Sequence, residues 1–200
     1  MARYTGPKDR LSRREGFDLF GKGGKLTRLN VSPGVHGPKG QISRKTQYGT
    51  QLREKQKVKR LYGVLEKQFK GYMNKAFRAR ATTPDVLFSL LETRLDNVVY
   101  RLGFGETRPQ ARQFVSHRHV LVNGEKINIP SYQVKVGDTI SLSAKAMNTP
   151  SVKKLLEKKP ENLPSWLKRK AAVGQIARLP KRDDVIEPIN EQDIIEFYSR

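Results

Sequence analysis

Gly16-Phe17-Asp18-Leu19-Phe20-Gly21-Lys22-Gly23 falls one residue short of G-x-x-x-x-G-K-[ST], the glycine-rich loop that cradles nucleotide phosphates. Gly23 lacks the hydroxyl that would hold magnesium, no strand pattern precedes Gly16, and Gly23-Gly24 opposes the helix that should follow. The reading is a flexible basic loop, not a nucleotide site. His117 and His119 form an H-x-H pair, but zinc sites draw on Cys and several His, and the chain has no cysteine and only His36 besides. Asp183, Asp184 and Glu187 read as a solvated turn, and no Ser, His and acid constellation stands out. No catalysis, no cofactor and no metal site is expected.

Basic side chains at helical spacing carry more information. In the segment after Thr107, Arg108 and Arg112 stand at i, i+4 beside an apolar face, Ser116 continues the line, and Gln113, His117, Arg118 and His119 extend the polar surface. Arginine suits contact with nucleic acid because its planar fork binds phosphate oxygens in pairs and stacks on bases. Lys8, Arg10, Arg13 and Arg14 lie in a stretch too polar to fold alone. Arg53, Lys57 and Arg60 fall at i, i+4 and i+7 on one helical face, with Glu54 beside Lys57 as the only nearby neutraliser.

The 200 residues hold 40 Lys and Arg against 19 Asp and Glu, a net charge of +21 with a pI near 10.4. A chain so charged repels itself when compact, which implies a polyanionic partner: nucleic acid first, an anionic membrane surface as the rival. No apolar run reaches 18 residues, so no membrane span is expected, and the polar start shows no secretory leader. Structured RNA is favoured over DNA, because no zinc-finger or leucine-zipper pattern is present.

The elements that must hold these residues are legible from Thr50 onward. Residues 1–60 carry 16 basic and four acidic side chains with many glycines, so residues 1–47 are expected as a basic arm of loops ordered by its partner. Residues 48–91 read as a helical domain. Gln51–Arg60 is a charged helix ended by Gly63, and Leu65, Phe69, Tyr72, Met73, Ala76 and Phe77 share one face of the next. Thr83-Pro84 reads as N-cap and N1 of a helix turning Leu87, Leu90, Leu91 and Leu95 inward. Val98, Val99 and Leu102 lie on a further helix before Gly103, and Thr107 caps one with Ala111, Phe114 and Val115 inward. Val120 and Val122 then alternate into Asn123-Gly124, a strong hairpin signal, with Ile127 and Ile129 returning. Gln133–Val136 and Thr139–Leu142 suggest a second pair of strands around Gly137-Asp138. Asn190 reads as an N-cap with an Ile189–Ile194 staple, which would dock a short helix from residues 185–200 back on the helical domain. Ser165 to Lys181, with Trp166, Lys168, Arg169, Lys170 and Arg178, reads either as a basic linker or as a segment that touches RNA. The expected fold class is α+β.

These residues also carry a family resemblance. YGTQLREKQKVKRLYGVLEKQF from Tyr48, LLETRLDNVVYRLGF from Leu90 and TRPQARQFVSHRHVLVNG from Thr107 resemble bacterial small-subunit ribosomal protein four. Pro33-Gly34-Val35-His36-Gly37 is similar to that family's N-terminal loop, and the run from Pro188 to Arg200 to its C-terminus. The segment from about Glu92 to Leu142 resembles that family's α-L RNA-binding module of helices and a small antiparallel sheet, which with a basic linker makes an inserted domain of residues 92–184. The resemblance implies a non-enzymatic component of the small ribosomal subunit that binds its ribosomal RNA, nucleates assembly of the five-prime domain and contributes to translational accuracy. The implied partners are small-subunit ribosomal RNA, small-subunit ribosomal protein five, and other proteins and messenger RNA near the entry path, on a cytoplasmic or organellar ribosome and with no membrane. Arg3, Arg44 and Lys45 belong to the RNA-binding set through the basic segments Arg3 to Arg14 and Arg44 to Arg60, and His36 through the loop similar to that of the family. An RNA-modifying enzyme and a free-standing messenger-binding regulator are the alternatives. Many members hold zinc with four N-terminal cysteines; Asp9 and Ser12 stand where the first two would fall. The arm is therefore expected to be held by RNA rather than by a metal.

Overall fold

The computed structural model describes residues 4–35, 37, 46–157 and 163–199, so Arg3, His36, Arg44 and Lys45 lie outside the described residues. Its chain divides into two units, Met1–Lys75 with Glu187–Arg200, and Ala76–Ile186.

In the first unit the basic N-terminal segment has structure of its own, contrary to the reading of a loose arm. Helix α1 (Lys8–Glu15) starts after Pro7 and stops at Gly16, whose φ of 63° is the left-handed conformation glycine adopts freely. Leu11, Leu19 and Leu26 are buried, an apolar minimum that the charge count concealed. Asp9 and Ser12 fasten the following loop: Lys22 Nζ lies 2.5 Å from Asp9 Oδ1, and Leu19 N donates to Ser12 Oγ at 3.4 Å. The loop resembling a phosphate cradle is wound around its own carboxylate, for Asp18 accepts from Phe20 N at 3.1 Å and Gly23 N at 2.7 Å. Among the described residues, protein contacts hold this segment.

Helix α2 (Gln47–Leu61) begins at Thr46, whose Oγ1 accepts from Gly49 N at 3.2 Å, and Gly63 follows its end with φ 62°. Helix α3 (Glu66–Arg78) buries Phe69, Met73 and Ala76, whereas Leu65 and Phe77 remain exposed at the margins of the predicted stripe. The final helix, α9 (Glu191–Ser199), lies on α2. Asn190 Oδ1 accepts from Gln192 N at 3.2 Å, and Ile189 and Ile194 are buried. Glu66 is the polar centre of this junction, taking Lys55 Nζ and Lys59 Nζ at 2.9 Å each and the Tyr198 hydroxyl at 2.7 Å. Lys55 Nζ also lies 4.4 Å from the Phe197 ring centre, and Gln51 Nε2 donates to Glu196 at 2.7 Å.

The second unit runs α4 (Thr83–Glu92), α5 (Leu95–Arg101), α6 (Arg108–Ser116), β1 (Val120–Val122), β2 (Glu125–Lys126), β3 (Thr139–Leu142), α7 (Ala144–Met147), α8 (Pro150–Glu157), β4 (Leu167–Lys170) and β5 (Val173–Ile176). The strands form one antiparallel sheet in the order β2-β1-β3-β5-β4. Its inner face joins Leu95, Val98, Val99, Leu102, Ala111 and Val115 in one core, closed by Val152 and Trp166. The fold class is α+β, but three local expectations change. The cap of α4 is Thr82, one residue earlier than read, its hydroxyl bonded to Asp85. Gln133–Val136 is no strand beyond a single bridge to Arg94; the Gln133 side chain ties it to α4, accepting from Thr93 Oγ1 at 2.7 Å and donating to Leu90 O at 3.1 Å. The neighbouring carbonyls of Pro130 and Tyr132 accept the first amides of α5, Asp96 N at 3.2 Å and Leu95 N at 2.9 Å. Ser165 to Lys181 is not a linker but holds β4 and β5, two of the five strands.

Candidate nucleic-acid interface

Helix α6 is built to present one polar face. Thr107 Oγ1 accepts from Gln110 N at 3.3 Å, Pro109 fits the first turn, and Ala111 and Val115 face the core. Its C-terminus closes as a Schellman motif: His119 N donates to Phe114 O and Arg118 N to Val115 O, both at 3.0 Å. Arg118 occupies the left-handed position of that motif with φ 60°, where glycine is usual. Gln113, Ser116, His117 and Arg118 are exposed along this end. The His117 and His119 rings lie 6.1 Å apart, and burial, then the charges of His117 and Lys145, push His119 down from its ordinary value. A neutral imidazole offers an acceptor nitrogen and a stacking face.

Arg108 and Arg112 are not a free solvent stripe. Arg112 is 9% exposed and directs Nη1 to Asp96 Oδ2 at 3.4 Å. Arg108 Nε donates to Asn97 Oδ1 at 3.0 Å while its guanidinium lies 4.6 Å from the Tyr100 ring centre. Both belong to a buried network that the sequence reading missed. Arg94, fully buried, grips Asp96 through Nε at 3.1 Å and Nη2 at 2.7 Å. Arg101 grips Glu92 through Nε at 3.0 Å and Nη2 at 2.8 Å, and Asn97 Nδ2 reaches Glu92 Oε2 at 2.8 Å. Two carboxylates and one amide thus fix α4, α5 and α6 against one another and set the angle of α6. A signal existed: Glu92-Thr93-Arg94-Leu95-Asp96-Asn97 sets polar residues among apolar ones that must face inward.

In the first unit, Lys8, Arg10 and Arg14 are exposed on α1. Arg13 turns inward, its Nε donating to Val31 O at 3.0 Å and its Nη2 to Ser32 O at 3.2 Å. Arg53 and Arg60 meet Glu15 of α1, a neutraliser 38 and 45 residues away that helical spacing could not reveal, in addition to the Glu54–Lys57 pair at 3.4 Å. Burial pushes the Glu15 carboxyl up despite Arg60, Arg53 and Arg14 around it. Among the described residues no three His, Asp or Glu side chains come together as a metal site, and Asp9 and Ser12, engaged within the loop, do not fit a zinc ion.

Two helices followed by a hairpin in one unit, with basic helices in the other, are the elements of an RNA-binding protein of the S4-domain class. Residues 93–140 match the S4 domain, and residues 3–92 match the ribosomal protein S4/S9 N-terminal domain. Small ribosomal subunit protein uS4 of Shewanella loihica is 50% identical over 208 aligned residues, covering 100% of both chains, and that of Ruthia magnifica subsp. Calyptogena magnifica matches to the same extent. The chain belongs to the uS4 family of small ribosomal subunit proteins. That family is one of ribosomal proteins, not of enzymes.

Proposed function

We propose that this chain is a structural component of the small ribosomal subunit that binds small-subunit ribosomal RNA, nucleates assembly of its five-prime domain and contributes to translational accuracy on cytoplasmic ribosomes. Its neighbours there are small-subunit ribosomal protein five and messenger RNA near the entry path. The observation that carries the reading is the 50% identity sustained over the full length of small-subunit relatives. The physical support is two exposed sets, the basic Lys8, Arg10 and Arg14 on α1 and the polar and basic Gln113, His117 and Arg118 at the end of α6. Arg3, His36, Arg44 and Lys45 belong to the proposed RNA-binding residues as well. Within their own units, Arg13, Arg53, Lys57 and Arg60 on one side and Arg108, Arg112 and His119 on the other are assigned mainly to shaping and positioning those two sets, since each is held by protein groups or partly buried.

The test is binding of the full chain to a transcript of the five-prime domain across salt concentrations. Each neutralised phosphate adds roughly 0.9 to the log–log slope on duplex, so about six to ten contacts imply a steep loss between about 50 and 200 mM salt. Order-of-addition reconstitution then asks whether later proteins require this one. A slope near zero, or unchanged assembly without the chain, would overturn the proposal.

A further inference from the structure

The sheet of the second unit has an outward face that the reading above does not use. Burial alternates along its strands: Val120, Val122, Ile140, Leu142, Leu167, Gly174 and Ile176 point inward, with a Cβ at Gly174 meeting Leu102 at 2.5 Å. The opposite face is ordered by register into two rows. One runs Lys126, Leu121, Ser141, Val173, Lys170, and the other Thr139, Gln175, Lys168. No carboxylate stands in either row; Glu125 pairs with Val122 and so belongs to the other face. Lys126 lies at one margin and Lys168 and Lys170 at the other, all exposed and without an acidic partner among the described residues. Four strand spacings, about 19 Å, separate the two margins.

We propose that this outward sheet face is a second RNA-docking surface, seated on the minor groove of an A-form helix. That groove is wide and shallow, and proteins read it through shape, phosphates and 2′-hydroxyls rather than base sequence. Thr139, Ser141 and Gln175 supply short hydroxyl and amide groups along the middle of the face, suited to 2′-hydroxyls. The lysines at the two margins are placed for the phosphates of the two strands, and the net charge of +21 favours a polyanion over a protein surface here. Strands β4 and β5, which carry Lys168, Lys170, Val173 and Gln175, lie outside the residues that match the S4 domain and the N-terminal domain. The inference rests on the RNA-binding reading and adds a surface to it.

The test uses the full chain with Lys126→Gln, Lys168→Gln and Lys170→Gln together, its folding checked by thermal unfolding, against the five-prime-domain transcript. The triple variant is expected to bind on the order of tenfold more weakly at low salt, with the log–log slope reduced by about 2 to 3. Wild-type binding with an unchanged variant overturns the sheet surface alone; no wild-type binding overturns the RNA reading itself. A photo-reactive benzoylphenylalanine placed at Gln175 in assembled small subunits gives a second readout. An adduct with ribosomal RNA supports the proposal, whereas an adduct with a protein, or none, overturns it.

Discussion

Arg118 stands where a helix most often hands over to glycine. Its φ of 60° costs an ordinary side chain about 1 kcal/mol, and the Schellman bonds around it hold the backbone there regardless. A strained position occupied by a long cation at the exposed end of α6 separates stability from binding. Arg118→Gly is therefore expected to raise the unfolding free energy by about 1 kcal/mol while weakening RNA affinity. Urea titration and a filter-binding isotherm on the same preparation would check both, and a variant that lost stability would remove the argument from strain. Asp96 makes the opposite case. It accepts two bonds from the fully buried Arg94 and one from Arg112, so Asp96→Asn leaves a buried guanidinium short of its counter-charge. A loss of about 3–5 kcal/mol is expected from breaking one side of such a pair. A shift in urea midpoint worth under about 1 kcal/mol would mean that the network does not hold α6 in place.

Between elements, Glu66 joins α2, α3 and α9 by taking Lys55, Lys59 and Tyr198 together. Burial alone would raise its carboxyl, but the bonds from Tyr198, Lys55 and Lys59 bring it down to about 2. A carboxyl depressed in the folded state adds stability above its unfolded value, and that addition is lost as pH falls through the folded one. The thermal midpoint of wild type should therefore exceed that of Glu66→Gln at about pH 6, with the gap closing toward about pH 2. A gap independent of pH would show that the charge on Glu66 is not what docks α9. The docking helix itself was legible, because Asn190, Ile189 and Ile194 are local signals. So was the β1–β2 hairpin, where Asn123 and Gly124 take φ of 52° and 89° as their types demand. The β4–β5 hairpin was not legible: it turns on Ala171-Ala172, with Ala171 at φ 48°, and alanine advertises no turn. Nor was the pairing of Glu15 with Arg53 and Arg60, which joins residues far apart in sequence through α1. For the candidate site, helical spacing located Arg108 and Arg112 on α6 but could not tell an outward arginine from one drawn in by Asp96.

Across the whole molecule part of the acidic charge is paired inward, while the cations are in large excess. Glu15, Glu54, Glu92 and Asp96, whose side chains are little exposed, each hold an arginine or lysine of their own chain, so part of the acidic charge is taken up internally. The excess of +21, from 40 Lys and Arg against 19 Asp and Glu, is carried by cations that outnumber the acids left to neutralise them. Salt then acts on the free protein and on its complex in opposite senses. Screening relieves repulsion among the outward cations, whose mutual field extends about a Debye length, while the buried pairs are shielded from the same ions. The free chain should unfold at a higher temperature as salt rises from about 50 to about 300 mM, although its affinity for RNA falls over the same range. Calorimetry with chloride and with a second monovalent anion separates general screening from specific anion binding. A midpoint that fell with salt would mean that exposed ion pairs such as Arg178–Asp184, and not the outward field, dominate the electrostatics of the free protein.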